Sequence, residues 1–253
     1  MSLEFKVVIP ARYASTRFEG KPLADICGKP MLQYVYACAI KAGAEQVIIA
    51  TDDERIKSVA ESFGADVCMT SSDHASGTDR LAEVSLQYQW DTNDIVVNLQ
   101  GDEPLTPPSI LRQVALNLAD HPKAGIATLS TPIQSAQDVH DPNIVKVITD
   151  AEGYALYFSR SVIPYNRDLA NQLTDEQAAY YQRHLGIYAY RVSFLHAYTN
   201  MQSCSLERTE KLEQLRALYS GIAIHVDEAI DLPGPGVDTP EDLIAVKNLL
   251  TNI

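Results

Sequence analysis

The sequence lacks the features that mark a membrane protein or a secreted disulfide-bonded protein. Its longest apolar runs, such as Gln46 to Ala50 and Ile95 to Val97, have the length of strands, whereas a membrane-spanning helix needs roughly 20 apolar residues. The sequence near Met1 has no secretory signal pattern, so we expect a cytoplasmic protein. The four cysteines show no Cys-x-x-Cys spacing, which predicts reduced, mostly buried thiols.

Positive charge is also scarce. The chain has 20 Lys and Arg against 33 Asp and Glu, a net charge of −13. Proteins that bind nucleic acids usually present a broad basic face, so this balance argues against a nucleic-acid partner. With 253 residues, of which 46% are hydrophobic, the chain can bury a full core.

Two common phosphate-binding motifs are missing. A Walker A loop aligned on Gly20 and Lys21 requires glycine at position 15 and serine or threonine at 22, where this chain has Ser15 and Pro22. The first strand is not followed by the Gly-x-Gly-x-x-Gly fingerprint of dinucleotide-binding proteins. The first turn therefore favours a nucleoside triphosphate over NAD, and a dehydrogenase is a weak alternative.

What is present is a basic loop directly after the first predicted strand. Arg12, Arg17 and Lys21 place three cations within ten residues of an otherwise acidic chain. Where a strand ends and a helix follows, backbone N–H groups and cationic side chains can converge on phosphate oxygens. We interpret this loop as a triphosphate-binding loop. The alternative is an ordinary solvated loop.

The first half of the chain alternates short β-branched runs with helical patterns. This alternation predicts an α/β fold with a doubly wound, mostly parallel, Rossmann-like sheet. The predicted strands are 5–9, 46–50, 66–68 and 94–99, and the predicted helices are 30–42, 53–63, 78–89 and 108–119. In such sheets ligands bind at the carboxyl ends of the strands, so the basic loop, Thr51-Asp52-Asp53 and the segment from Gln100 to Pro104 should share one cleft.

The pattern changes near residue 125. Closely spaced strand candidates at 126–131, 144–149, 154–158 and 186–191 predict an inserted mixed β region, followed by a helix at about 206–219, a strand at 222–226 and a helix at about 240–250. The turn-rich segment 164–182 is either a mobile lid or an ordered surface loop. We predict a single domain, 1–253, with an α/β half (about 1–124), a mixed β region (about 125–205) and a return to the main domain (about 206–253).

Asp102 is the first candidate metal ligand. It follows the apolar strand 95–99, so its carboxylate should emerge beside phosphates held by the basic loop. Magnesium is usually held by one or two carboxylates together with substrate phosphate oxygens and water. The predicted second ligand is Asp238, in a glycine-rich turn before the last helix. Asp238 could instead cap that helix, and both roles could coexist.

These motifs together resemble the sugar nucleotidyltransferases that activate acidic sugars with CTP. The resemblance covers essentially the whole chain and is strongest to the enzymes whose acceptor is 3-deoxy-D-manno-octulosonate (Kdo), an eight-carbon acidic sugar of lipopolysaccharide. The motifs that carry it are PARYASTR with GKPL (10–17 and 20–23), TDD (51–53), SGTDRLAE (76–83), QGDEP (100–104), YALYFSR (154–160), RHLGIY (183–188), LEQLR (212–216) and GVDTP (236–240). The chain departs from the usual family loop at Phe18-Glu19.

The resemblance implies CMP transfer from CTP to Kdo, with Mg²⁺ as cofactor and a homodimer as assembly. It implies that the half at about 1–124 binds CTP and that the region at about 125–205 binds the sugar and forms the dimer. It implies that Arg12, Arg17, Lys21 and Asp102 are catalytic and that Asp102 and Asp238 bind the metal. The residues implied to surround the nucleotide are Pro10, Ala11, Arg12, Ser76, Gly77 and Arg80. Those implied to bind the sugar are Gln100, Arg160, His184, Tyr188, Glu213 and Gln214, with Arg160 as a partner for the sugar carboxylate.

Other interpretations stay open for single residues and for the whole protein. Arg80 could be an exposed helix residue, His184 a buried core histidine, and Glu213 part of a solvated helix face. The enzyme could use sialic acid or another acidic sugar, although the sugar motifs disfavour this. It could also be a catalytically inactive regulatory protein that binds nucleotides, although both aspartates and all three cations are present.

Overall fold

A computed structural model describes residues 3–14, 18–74, 76–168 and 173–251. The strands are β1 Lys6–Ala11, β2 Asp25–Ile26, β3 Lys29–Pro30, β4 Gln46–Thr51, β5 Asp66–Met69, β6 Ile95–Asn98, β7 Ile126–Pro132, β8 Lys146–Thr149, β9 Ala155–Ser159, β10 Gln182–Arg191 and β11 Ile224–Glu228. The helices are α1 Met31–Lys41, α2 Glu54–Ser62, α3 Gly77–Gln87, α4 Pro108–Asp120, α5 Ala136–His140, α6 Asp175–Ala178, α7 Val192–Tyr198, α8 Ser205–Glu210, α9 Gln214–Tyr219 and α10 Pro240–Thr251, with a 3-10 turn at Lys21–Leu23.

Nine of the strands in the described ranges form one twisted sheet, which confirms the predicted α/β architecture. Its main path runs β11-β7-β10-β6-β1-β4-β5, and β8 and β9 extend it beside the start of β10. The half formed by β6, β1, β4 and β5 is parallel. β10 lies between β6 and β7 and pairs antiparallel with both. The mixed β region and the first half of the chain therefore share one sheet.

The core lies on both faces of this sheet, because strand side chains alternate between the two faces. Along β1, Val7 and Ile9 pack into the cluster that includes α1, α2 and α4, while Val8 packs on the opposite face. That opposite cluster includes residues of α3, α7 and α9. In the described ranges, no helix combines the length and the apolar character needed to cross a membrane.

A cleft opens where β1 and β6 separate. Backbone pairing of these strands runs only from Lys6–Val8 with Val96–Asn98, whereas β1 stays paired with β4 as far as Ala11. This is the point where the strand order reverses, the usual ligand site of doubly wound sheets. Gly101 lies at the cleft, and a Cβ atom at this position would be 2.9 Å from the Pro10 carbonyl oxygen. A glycine is required here by close packing.

The predicted helix at 206–219 is wrong in one respect, because it is broken into α8 and α9. Lys211 caps α8 with φ 55° and ψ 47°, a left-handed conformation that is uncommon outside glycine. In one continuous helix, Glu210 and Gln214 would lie on the same face. The break lets Glu210 accept hydrogen bonds from Ser159 and from the backbone of Arg160, while Gln214 turns towards a cavity on the other side.

Several smaller features differ from the sequence-based predictions. The strand predicted at 186–191 begins earlier, at Gln182, and the short helices α5, α6 and α7 were not predicted. All four cysteines are free thiols, but Cys27 is exposed, an exception to the mostly buried cysteines that we expected. Part of the segment 164–182 lies outside the described residues. In its described part Tyr181 is buried and Tyr180 is exposed.

Candidate active site

The first of two adjoining cavities lies at the carboxyl ends of β1 and β6 and has a volume of about 510 Å³. Most of the residues predicted for the nucleotide and the metal line it. Its lining is Pro10, Ala11, Arg12, Ala14, Lys21, Pro22, Ser76, Gly77, Arg80, Gln100, Gly101, Asp102, Glu213 and Asp238. The cleft expected from the strand ends is therefore present, and we call it the nucleotide cavity. The segment Thr51-Asp52-Asp53, which was also expected in this cleft, does not belong to its lining.

Lys21 bridges the two aspartates predicted to bind metal. Its Nζ lies 2.6 Å from Asp102 Oδ2 and 3.2 Å from Asp238 Oδ1. The lysine is held there by the basic loop, which closes where Gly20 donates its N–H to the Tyr13 carbonyl at 2.9 Å. Gly20 has φ 67°, in the left-handed region that favours glycine. Both carboxylates can therefore reach a single cation, although they are 136 residues apart in sequence.

A glycine-rich turn brings Asp238 to this place. Val237 donates its backbone N–H to the Asp102 carbonyl at 2.9 Å, so the two segments dock by a main-chain hydrogen bond. The helix cap that was considered for Asp238 is instead formed by the next residue, Thr239. Asp242 donates its N–H to Thr239 Oγ1 at 3.2 Å, while Asp242 Oδ2 accepts from the Thr239 N–H at 2.8 Å. Thr239 caps α10, and the Asp238 carboxylate contacts Lys21.

The remaining nucleotide residues have different surroundings. The Arg12 guanidinium donates a short hydrogen bond to the His74 carbonyl, which ties the basic loop to the turn before α3. Ser76 caps α3 through a reciprocal hydrogen-bond pair with Asp79. Helix N-termini carry unpaired N–H groups that suit anions. Arg17 lies outside the described residues, so its role stays a prediction.

Arg80 is fully buried, which excludes the exposed-helix interpretation. Its Nη2 lies 3.1 Å from Asp52 Oδ2, and its Nη1 donates to the Thr70 hydroxyl. Asp52 belongs to the strand-end segment Thr51-Asp52-Asp53, whereas Asp53 caps α2 by accepting from the Arg55 N–H at 2.9 Å. The two neighbouring aspartates therefore have different roles. Asp52 forms an ion pair with the Arg80 guanidinium at the nucleotide cavity, and Asp53 caps α2.

The second cavity, which we call the sugar cavity, has a volume of about 310 Å³. Four of the six predicted sugar-binding residues line it. Its lining is Gly77, Thr78, Asn98, Gln100, Ile126, Tyr188, Tyr190, Phe194, Tyr198, Lys211, Leu212, Glu213, Gln214 and Ala217. Gly77, Gln100 and Glu213 line both cavities. A group bound in the sugar cavity would therefore be the neighbour of a group bound in the nucleotide cavity.

An aromatic wall forms one side of the sugar cavity. The rings of Tyr188 and Tyr190 stack at 5.7 Å, those of Tyr190 and Phe194 at 5.6 Å, and Phe194 contacts Tyr198 at 5.7 Å. Burial raises the pKa of all three tyrosines, so their hydroxyls stay protonated at neutral pH. Neutral hydroxyls can both donate and accept hydrogen bonds.

Glu213 is the carboxylate at the junction of the cavities. Its Oε2 accepts hydrogen bonds from the hydroxyls of Thr78 and Tyr198, each at 3.4 Å. Desolvation raises the pKa of Glu213 above its ordinary value. Glu213 is exposed overall, but its carboxylate is a hydrogen-bonded acceptor just before the start of α9 and lines both cavities.

Two predicted sugar residues lie outside both linings. The Arg160 guanidinium donates to the carbonyls of Glu210 at 2.7 Å and Pro142 at 2.9 Å. The His184 ring packs against Phe158 at 4.9 Å and Tyr188 at 5.4 Å. Desolvation lowers the pKa of His184 to about 3, so the imidazole is neutral. The predicted sugar contacts of Arg160 and His184 stay predictions.

Several cavity residues were not identified from the sequence. Thr78, Asn98, Tyr190, Phe194 and Tyr198 all line the sugar cavity. Of these, only Asn98 could have been recognised from the sequence as a candidate cavity residue, because an asparagine ends the otherwise apolar strand Ile95-Val96-Val97. A polar residue at the end of a buried strand is expected to need a partner. The aromatic residues look like ordinary core residues in the sequence.

A comparison with protein families agrees with this geometry. The family model described as "Cytidylyltransferase" matches residues 6–226. The chain belongs to the cytidylyltransferase family. A protein of Aliivibrio fischeri named 3-deoxy-manno-octulosonate cytidylyltransferase is 58% identical over 249 residues, which cover 98% of this chain and all of that protein. A cytidylyltransferase of the same name from Pseudomonas syringae pv. tomato is 56% identical and covers 99% of both chains.

Solved cytidylyltransferase structures share the fold. A CMP:2-keto-3-deoxy-manno-octonic acid synthetase complexed with CTP superposes with a TM-score of 0.88 at 43% identity and covers 99% of both chains. A cytidylyltransferase from Leptospira borgpetersenii gives a TM-score of 0.60 at 16% identity, covering all of this chain and 88% of its own, which is a likeness of fold.

Proposed function

We propose that this protein transfers CMP from CTP to the anomeric hydroxyl of Kdo, giving CMP-Kdo and pyrophosphate. The observation that carries this proposal is the pair of adjoining cavities that share Gly77, Gln100 and Glu213. One cavity contains cations suited to a triphosphate, and the other combines an aromatic wall with buried hydrogen-bonding groups suited to a sugar. The relatives named for the same reaction support this assignment.

In the proposed reaction the anomeric hydroxyl attacks the α-phosphorus of CTP in line. The new oxygen–phosphorus bond forms as the bond between the α-phosphorus and the β-phosphate oxygen breaks, the hydroxyl releases its proton to solvent water, and pyrophosphate leaves without a covalent enzyme intermediate. Arg12, Arg17 and Lys21 stabilise charge on the departing pyrophosphate. Gln100 and Glu213, at the junction of the cavities, hold the acceptor next to the phosphate.

The proposed metal ligands are Asp102 and Asp238. Among the described residues, no group of three or more His, Cys, Asp or Glu side chains could hold a metal, so CTP oxygens and water must complete the coordination. The fit is supported by Lys21, whose ammonium group contacts both carboxylates and marks a position that a cation can share between them. Bound Mg²⁺ would polarise the α-phosphate and lower the pKa of the attacking hydroxyl.

The deciding experiment measures pyrophosphate release with Mg²⁺ and each of the four nucleoside triphosphates, with Kdo and sialic acid as alternative acceptors. We expect release with CTP and Kdo only. Release with CTP and sialic acid alone would keep the nucleotide assignment and overturn the acceptor. Tight CTP binding without release for either acceptor would support an inactive regulatory protein.

Two further properties belong to the proposal. We expect a homodimer. Its proposed interface includes exposed apolar side chains of the mixed β region, namely Leu156, Tyr165 and Tyr180. Size-exclusion chromatography with light scattering should give twice the chain mass, and a monomer at micromolar concentration would contradict this. We also expect the enzyme to reside in the cytoplasm, which cell fractionation can test.

A further inference from the structure

Asn98 is a buried polar residue in the wall of the sugar cavity. It ends β6 and is only 5% exposed. In the sheet it lies opposite Val8 of β1 on one side and Tyr188 of β10 on the other. Because a buried amide without partners is costly, both ends of this side chain should have hydrogen bonds.

The carbonyl end of the Asn98 amide has no partner among the described residues. Asn98 Oδ1 makes no hydrogen bond in the described part of the chain, although Asn98 lines the cavity together with Thr78 and Tyr190. An acceptor is left unsatisfied at the cavity wall.

A complementary donor lies in the same cavity. Gln214 is 8% exposed, and its Nε2 also has no hydrogen-bond partner in the described ranges. The cavity thus offers an unsatisfied acceptor on β6 and an unsatisfied donor at the start of α9. Hydroxyl groups both donate and accept hydrogen bonds, so a polyhydroxylated molecule can satisfy both.

We propose that Asn98 is a further specificity-determining residue for the acceptor, in which its side-chain amide forms a hydrogen bond with a hydroxyl of the sugar. This inference rests on the proposed function. A neutral amide suits the position, because Glu213 already supplies a carboxylate and a second one would repel an anionic sugar.

Asn98→Leu tests this inference because leucine has a similar size and no hydrogen-bonding groups. We expect the KM for Kdo to rise about 10- to 100-fold, while the KM for CTP changes less than about threefold. A set of monodeoxy analogues of Kdo then identifies the hydroxyl. The wild-type enzyme should lose affinity for one analogue by a similar factor, whereas Asn98→Leu should bind that analogue and Kdo equally.

The matched control is Asn117→Leu. Asn117 is also 5% exposed and also has an Oδ1 without a partner among the described residues, but it lies in α4 and lines neither cavity. We expect this variant to leave the KM for Kdo unchanged. A rise in the KM for Kdo that is equal in the two variants would mean a structural role for Asn98 and would overturn the inference.

If Asn98→Leu does not fold, Asn98→Ser replaces it, because a short polar side chain is tolerated at a strand end and cannot extend as far. The same selective rise in the KM for Kdo is expected. An unchanged KM in a folded variant overturns the inference and leaves the proposed function intact. If wild-type protein releases no pyrophosphate from CTP and Kdo, the proposed function fails and the inference fails with it.

Discussion

The nucleotide cavity and the sugar cavity are built from different kinds of residue. Most of the nucleotide cavity comes from three short segments, 10–22, 76–80 and 100–102, which follow or precede elements of the parallel half of the sheet. The sugar cavity instead collects an aromatic wall from β10 and α7 and polar residues from α3, β6 and α9. Charge dominates the first cavity, and shape and hydrogen bonding dominate the second.

This difference explains why the two cavities are expected to respond differently to substitution. The proposed phosphate-binding cations and metal-binding carboxylates would act on charge that develops during the reaction, so their loss should lower kcat. Neutral groups of the sugar cavity act on the bound acceptor, so their loss should raise the KM for that substrate. The predictions below are ordered from the largest expected effect to the smallest.

Replacement of Asp102 should have the largest effect. Asp102→Asn keeps the size of the side chain but removes the charge shared with Lys21 and Asp238. We expect kcat to fall by about 10²- to 10³-fold with little change in the KM for Kdo. Steady-state pyrophosphate release measures both. Asp120→Asn, at the exposed end of α4, is the control and should behave as wild type, and near-normal turnover of Asp102→Asn would contradict the role of Asp102.

Replacement of Asp52 should weaken CTP binding alone. Asp52→Asn removes the ion pair that holds the buried Arg80 guanidinium at 3.1 Å. The pair lies beside the nucleotide cavity and away from the sugar cavity, so we expect the KM for CTP to rise about tenfold. The KM for Kdo should stay the same. Glu54→Asn, at the exposed start of α2, serves as control, and equal changes in both KM values would show that the cavities are not independent.

Lys21 should compete with metal for the two aspartates. Lys21→Gln removes an ammonium group that lies 2.6 Å from Asp102 and 3.2 Å from Asp238. Without this positive charge the carboxylates should attract a divalent cation more strongly. We expect Mn²⁺, followed by electron paramagnetic resonance without CTP, to bind about three- to tenfold more tightly. Lys57→Gln is the matched control, and weaker Mn²⁺ binding in Lys21→Gln would contradict the proposed site.

His184 should affect the pH dependence of stability rather than turnover. Its pKa is lowered to about 3 in the folded protein, below the ordinary value near 6.5. Its neutral form is therefore favoured by folding, and the resulting stability is present above about pH 6.5 and lost as the pH falls towards 3.

The corresponding variant is His184→Gln, which keeps a polar group near the Thr128 hydroxyl. Between pH 6.5 and pH 5 we expect wild type to lose about 1–2 kcal/mol more stability than this variant. Urea unfolding at several pH values measures the difference. His140→Gln, in the short helix α5, is the control, and parallel stability curves for wild type and His184→Gln would refute the burial effect.

The nucleotide cavity could be predicted closely from sequence because its signals are local. The sequence from Pro10 to Pro22 places a strand end, cations and a left-handed glycine in one short segment. Asp102 likewise follows a recognisable buried strand. The strand order of parallel sheets then brings these ends to one cleft. Asp238 was predicted as the partner of Asp102 from the glycine-rich turn that precedes the last helix, but no local pattern predicts that Lys21 contacts both aspartates.

The sugar cavity could be predicted only in part. Tyr190, Phe194 and Tyr198 follow the spacing of core residues, and their sequence does not distinguish a cavity wall from a packed interior. The break at Lys211 also escaped prediction, because the pattern of 206–219 fits one helix and the left-handed residue is not a glycine. That break decides where Glu213 and Gln214 lie.

By itself, the sequence determined the α/β class, the positions of most strands and helices, and the concentration of cations in the loop after the first strand. These properties depend on the period of apolar residues and on groups that are neighbours along the chain. Only the tertiary structure decided that Asp52 pairs with Arg80, that Lys21 joins two distant aspartates, and that Asn98, whose amide oxygen has no partner among the described residues, lines the same cavity as Gln214. Such contacts join residues far apart in sequence, so they exist only once the chain has packed.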